Sequence, residues 1–213
     1  MELNKYIDHT ILAADATKQD VVKVCTEAMK YNFASVCVNS SFTKTVKELL
    51  ADSDVKTCVA VGFPLGAMSE KAKICETRTA IADGADEIDM VINIGLFKNG
   101  KKDEVLQEIQ RIKEACGDKL LKVIIETCFL DDLQIIELCE IAEKAGADYV
   151  KTSTGFNGEG ATEKNVRLMR ETVGDRLGVK ASGGIRTKED ALKMIEAGAS
   201  RIGASRSVDI VSD

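Results

Sequence analysis

Four short segments carry ionisable side chains where a buried strand needs apolar ones: DEIDMVIN over 86–93, KVIIET over 122–127, YVKTS over 149–153 and GVKAS over 178–182. Side chains alternate along a strand, so Ile88, Met90 and Ile92 share one face while Asp89, Val91 and Asn93 share the other. By the same rule Val123 and Ile125 oppose Lys122, Ile124 and Glu126, Val150 opposes Lys151, and Val179 and Ala181 oppose Lys180. If the apolar faces pack on helices, Asp89, Lys122, Glu126, Lys151 and Lys180 are driven inward together. Buried charges are costly unless paired, and three lysines against two carboxylates do not cancel. A purely structural network is the alternative, with Lys122 paired to Glu126 or Asp89 and the other lysines reaching solvent.

Two ammonium groups about 5 Å apart repel by roughly 3 kcal/mol at an effective dielectric near 20, about two pKa units. One of a lysine pair is thereby able to lose its proton and attack carbonyl carbon, forming a Schiff base. Lys151 is assigned as that nucleophile and Lys180 as the perturbing cation, although spacing alone leaves the two interchangeable. Both lie toward the C-terminal ends of their segments, beside glycine-rich stretches. TSTGFNGEGAT (152–162), SGGIRT (182–187) and SRSV (205–208) expose backbone N–H groups suited to an anion, which points to phosphate over Gly155, Gly183, Gly184 and Ser205. Arg186 and Arg206 are either further anion contacts or solvated surface residues. Cys37 is read first as a small buried hydrophobe and His9 as a hydrogen-bonded structural residue.

These side chains need a scaffold that collects strand ends. Strands are expected near 6–12, 33–39, 55–62, 86–93, 121–127, 148–153, 178–182 and 201–204, and helices near 17–31, 42–51, 69–83, 101–116, 132–145, 162–173 and 187–197. Ser69, Asp131 and Thr187 open helices, and glycines close them in the near-repeats GADEIDMV, GADYVKTS and GASRIGAS. Strand spacings of roughly 22 to 35 residues are those of βα units, and eight such units predict an α/β fold, a TIM (β/α)8 barrel formed by one domain over 1–213. The last helix is expected to be absent or one short turn. A doubly wound open sheet is the second choice.

The 213 residues are 45% apolar and 30% charged, with 16 Gly and one Pro, which excludes disordered and collagen-like chains. With 29 basic and 35 acidic residues the net charge is −6, and no basic run is interleaved with aromatics, so no nucleic-acid partner is expected. No apolar run is long enough to cross a membrane, and the N-terminus lacks a signal-peptide pattern. Seven scattered cysteines without a C-x-x-C pair argue against a disulfide framework and fit a reducing cytoplasm. The single histidine, His9, rules out a histidine-rich metal site.

The motifs DHT (8–10), SVCVN (35–39), GADEIDMVIN (84–93), KVIIET (122–127), VKTSTGF (150–156) and KASGGIR (180–186) together resemble the deoxyribose-phosphate aldolase family, in order and over nearly the whole chain. The resemblance implies a class I aldolase on a TIM barrel that needs neither metal nor cofactor. It implies reversible cleavage of 2-deoxy-D-ribose 5-phosphate to D-glyceraldehyde 3-phosphate and acetaldehyde, in the breakdown of deoxyribose phosphates. It also implies the Schiff base on Lys151, Lys180 as the second lysine, and Asp89 as the proton-transfer carboxylate. Asp8, Cys37, Lys122 and Thr154 are implied around the substrate, with phosphate over Gly155, Gly183, Gly184, Ser205 and Arg206. A homodimer or homotetramer is implied at the family level. This chain departs from the pattern at Arg206, where many members have a small residue, and at Ser40, where proline is common. Its tyrosines are Tyr6, Tyr31 and Tyr149, so a proton relay supplied elsewhere by a C-terminal tyrosine would fall to water held by Asp89 and Lys180. Two rival readings are a phosphosugar isomerase or other Schiff-base lyase, distinguished by acetaldehyde release, and a phosphate-binding protein without turnover, disfavoured by the intact Lys151, Lys180 and Asp89.

Overall fold

A computed structural model describes residues 2–212. Eight parallel strands close into a barrel in sequence order: β1 (Ile7–Ile11), β2 (Ser35–Asn39), β3 (Lys56–Val61), β4 (Glu87–Val91), β5 (Leu120–Ile124), β6 (Tyr149–Lys151), β7 (Gly178–Ser182) and β8 (Arg201–Ala204). Pairing of β8 with β1, Asp8 opposite Gly203, completes the ring and excludes the open doubly wound sheet.

Around it lie α1 (Lys18–Tyr31), α2 (Thr43–Leu49), α3 (Glu70–Ala82), α4 (Ile94–Lys98), α5 (Lys102–Cys116), α6 (Asp132–Lys144), α7 (Glu163–Val173), α8 (Lys188–Glu196) and α9 (Ser207–Ser212). No helix among the described residues is long and apolar enough to cross a membrane. The short α4 was not expected, and α9 runs for six residues rather than one turn. Ser69, Asp131 and Thr187 each accept a hydrogen bond from the backbone N–H three residues on, which supplies the N-caps of α3, α6 and α8. At the other ends, Gly84, Gly146 and Gly198 all have positive φ. The alanine after each glycine donates back to the helix, as in Ala85 N to Ala80 O, Ala147 N to Ala142 O and Ala199 N to Met194 O. These are Schellman closures, so the near-repeat is the chemistry of ending a helix and entering a strand.

The main hydrophobic core lies between strands and helices, where Ile88, Met90, Ile92, Val123, Ile125, Val150, Val179 and Ala181 are all buried. This is the face that alternation directs outward. Inside the barrel a small apolar cluster of Leu12, Cys37, Cys58 and Ala60 sits beside the charged groups. Several expected strands are shortened, among them β2 to Ser35–Asn39 and β4 to Glu87–Val91. β6 ends at Lys151, and β5 ends at Ile124 because Glu126 takes a left-handed backbone, φ 54°, followed by a 3-10 turn over Thr127–Phe129. Ser40, a departure noted in the sequence, follows β2, and its Oγ donates to Glu76 Oε1 at 2.7 Å while Glu76 Oε2 accepts the Gly62 N–H at 2.9 Å. The hydroxyl thus ties β2 and β3 to α3.

Candidate active site

Asp89 on β4 is the hub of the barrel interior. Its Oδ2 accepts from Lys151 Nζ at 2.7 Å and from Lys180 Nζ at 2.7 Å, while Oδ1 accepts from Lys122 Nζ at 2.8 Å. Strand register brings this about, since Asp89 is the Cα partner of Lys122 and Lys151 that of Lys180. Lys180 also meets Asp8 Oδ2 at 2.5 Å, and its side chain runs past Gly203. A Cβ at Gly203 would lie 3.0 Å from Lys180 Cε, so glycine leaves the lysine its path.

Below this layer Lys122 Nζ reaches Glu87 Oε2 at 2.6 Å, and Arg201 bridges Asp8 Oδ1 at 2.7 Å and Glu87 Oε2 at 3.1 Å. The Arg201 guanidinium stands 5.6 Å from the Tyr149 ring centroid. Glu87 and Arg201 were missed in the sequence, although Glu87 lies two residues before Asp89 and therefore on the same inward face. Glu126, which strand alternation directs into this network, does not join it. Its left-handed backbone turns the carboxylate to Thr154 and Asn157, so Lys122 pairs with Asp89 and Glu87 instead.

The interior charge balance is therefore four cations, Lys122, Lys151, Lys180 and Arg201, against three carboxylates, Asp8, Glu87 and Asp89. Burial would raise the Asp89 pKa, but Lys122, Lys151 and Lys180 hold it well below the usual carboxylate range. Asp8 is lowered in the same way, by Lys180, Arg201 and Lys122 acting against burial. Burial would drive Lys180 toward neutrality, but Asp8 and Asp89 outweigh it and raise its pKa, and Lys122 is raised by Asp89 against the same penalty. Both stay charged.

A cavity of about 570 Å3 opens over this network at the C-terminal ends of the strands, lined by Thr10 to Ala14, Lys151, Thr154 to Phe156, Ser182 to Arg186 and Gly203 to Ser205. Of the predicted residues, Lys151, Thr154, Gly155, Gly183, Gly184 and Ser205 border it. Lys180 and Asp89 lie beneath its floor, both fully buried. Asp8, Cys37 and Lys122, expected around the substrate, do not line it and are likewise fully buried. Asp8 and Lys122 are consumed in ion pairs, and Cys37 packs across β2 and β3 against its register partner Cys58. Hydrogen bonding from the Cys58 thiol lowers the Cys37 pKa and burial raises that of Cys58. Arg206 is exposed and off the cavity wall, because it precedes α9, and Arg186 after β7 occupies the rim in its place.

The anion side of the cavity is built from glycine backbone. Gly155, Gly183 and Gly184 have φ of 82°, 84° and 81°, and their N–H groups donate to no partner among the described residues. Two loops touch here, since a Cβ on Gly160 would fall 2.0 Å from Gly183 O. His9 faces away from the cavity, with Nδ1 3.0 Å from Ser207 Oγ and Nε2 2.8 Å from Glu27 Oε2.

A closed parallel barrel with a buried lysine–carboxylate network under a C-terminal cavity defines a (β/α)8 enzyme equipped for carbonyl chemistry. Residues 3–207 match the model of the DeoC/LacD family of aldolases, and the chain belongs to that family. A deoxyribose-phosphate aldolase of Finegoldia magna is 59% identical over 99% of this chain and 99% of its own. One from Streptococcus suis is 57% identical over 100% of this chain and 96% of its own. Among solved structures, a tetrameric deoxyribose phosphate aldolase from Aeropyrum pernix superposes with a TM-score of 0.91 at 33% identity, covering 99% of this chain and 89% of that one. The protein is thus an enzyme, an aldolase.

Proposed function

We propose that this enzyme reversibly cleaves 2-deoxy-D-ribose 5-phosphate to D-glyceraldehyde 3-phosphate and acetaldehyde through a Schiff base on Lys151. The observation that carries the reading is positional. Of the four cations in the barrel network only Lys151 borders the cavity, 3% exposed and held by one carboxylate, while Gly155, Gly183 and Gly184 line the same space. Lys151 is also the cation of the network with the fewest carboxylate partners, meeting Asp89 alone.

The neutral Lys151 Nζ adds to C1 of the open-chain sugar, water leaves, and the iminium accepts the electron pair of the C3–C4 bond as it breaks. The C3 hydroxyl proton passes to Asp89, reached through Lys180 or a water, and glyceraldehyde 3-phosphate departs. Protonation of the enamine at C2 and hydrolysis of the iminium then release acetaldehyde and restore the amine. Because Lys122 and Lys180 keep Asp89 strongly acidic, its proton is held only transiently, and Asp89 acts chiefly by orienting the two amines and stabilising charge. Phosphate held by Gly155, Gly183, Gly184 and Ser205, with Arg186 at the rim, orients C1 toward Lys151. Residues 1–213 serve as one barrel domain acting on small phosphorylated and aldehyde substrates without a cofactor, in the cytoplasm, as a homo-oligomer, in deoxyribose phosphate catabolism.

Borohydride reduction in the presence of acetaldehyde tests the mechanism. Peptide mapping is expected to find the mass of an N-ethyl group on the peptide bearing Lys151, and Lys151→Ala to abolish both label and turnover. Labelling of Lys180 instead, or turnover retained by Lys151→Ala, would overturn the assignment.

A further inference from the structure

Glu126 is a fully buried carboxylate that the proposed chemistry leaves unused. Its left-handed backbone, φ 54°, is one that a residue with a Cβ keeps only where its surroundings hold it. Both neighbours are tied to the end of β6, with Ile125 N donating to Lys151 O at 3.0 Å and Thr127 N to Thr152 O at 2.9 Å. The turn between these bonds swings the side chain over the loop that follows Lys151. There Oε1 accepts the Thr154 N–H at 3.1 Å, and Oε2 accepts from Thr154 Oγ1 and from Asn157 Nδ2 at 2.9 Å. No lysine or arginine pairs with this carboxylate among the described residues.

All three donors belong to the four-residue span Thr154–Asn157, and the Thr154 hydroxyl oxygen also accepts the Phe156 N–H at 3.1 Å. Within that span the backbone N–H groups of Gly155 and Asn157 are both without a partner among the described residues, and of the two residues only Gly155 lines the cavity. The Thr154 hydroxyl proton is committed to Glu126, so Thr154 serves the ligand by shaping the loop and not as a free donor. We infer that Glu126 is a positioning residue for the ligand's anionic group, clamping the loop after β6 so that the Gly155 N–H faces the cavity. This rests on the phosphosugar reading and extends it.

The test compares wild type, Glu126→Gln and Asn157→Ala on 2-deoxyribose 5-phosphate and on unphosphorylated 2-deoxyribose, with inorganic phosphate affinity measured by calorimetry. Glutamine keeps the size of the side chain but turns one acceptor into a donor facing donors. Losing a charge-assisted contact of this kind is expected to lower kcat/KM for the phosphorylated sugar about tenfold, mainly through KM, against about twofold or less for the unphosphorylated sugar. The phosphate Kd should rise in parallel, and Asn157→Ala should shift both readouts in the same direction by less. Equal losses on the two sugars with an unchanged phosphate Kd would mark a general structural role and overturn the inference, as would no change in either variant. If Glu126→Gln does not fold, Asn157→Ala decides by whether the substrate ratio falls. If wild type fails to cleave the phosphosugar, the substrate reading falls on its own, and the inference then stands or falls on whether both variants weaken inorganic phosphate.

Discussion

Lys180 shows how a single side chain in this barrel is both structural and chemical. It is fully buried, and its two carboxylate partners raise its pKa above that of a lysine in the unfolded chain. A group whose folded pKa is raised contributes stability that is complete below its unfolded pKa, about 10.4, and is lost as pH climbs toward the folded value. Replacing it by methionine takes one cation from Asp8, which keeps Arg201, and from Asp89, which keeps Lys122 and Lys151, and the expected cost is on the order of 2–3 kcal/mol near pH 8. The gap between the urea midpoints of wild type and Lys180→Met should narrow between pH 8 and pH 11. A gap constant over that interval would mean that the ammonium is not the source of the stability. Asp89 and Lys180 were legible as an inward pair because strand alternation placed them. Glu126 was not, because alternation presumes an extended backbone and Glu126 leaves it.

At the scale of elements, the end of β4 is held from outside the barrel by a second buried ion pair. Lys73 on α3 meets Glu108 Oε1 on α5 at 2.9 Å, with side chains 0% and 1% exposed. Lys73 Nζ also donates to Val91 O at 2.7 Å, and Glu108 Oε2 accepts the Asn93 N–H at 3.1 Å. Burial pulls the Lys73 pKa down, and Glu108 opposes it. The pair therefore locks α3, α5 and the exit of the strand that carries Asp89. Lys73→Met alone leaves an unpaired buried carboxylate and is expected to cost roughly 3–5 kcal/mol, whereas the double variant Lys73→Met/Glu108→Leu should regain most of it. Chemical denaturation of the two variants checks this, and equal losses would deny the coupling. No pattern in the sequence announced this pair, because both residues sit on helices where a charge reads as solvated.

For the whole molecule, burial sorts the seven cysteines. All are free, Cys75 is exposed, and Cys25, Cys116 and Cys139 are buried. Burial pushes the Cys25 thiol to about 11 and the Cys116 and Cys139 thiols to about 12. Alkylation with iodoacetamide at pH 8 is expected to modify Cys75 first, with Cys25, Cys116 and Cys139 reacting only as the barrel opens. Mass spectrometry over a time course with and without urea reads the order, and early labelling of Cys139 in native buffer would contradict the packing described here.

Local sequence determined the elements of this protein and the face of each strand. A two-residue period, Ser, Asp and Thr caps, and Gly-Ala helix closures act over a few residues and are written where they act. The aldolase motifs likewise named Lys151, Lys180 and Asp89. Tertiary structure decided which of the inward charges meet and which of them touches the cavity. Closure of the ring set β8 beside β1, which brought Arg201 to Asp8 and Glu87 and completed the charge balance around Asp89. It also sealed Asp8, Lys122 and Cys37 beneath the floor and left Lys151 at the cavity. Depth along a closed barrel depends on register between strands far apart in the chain, and no local pattern encodes that.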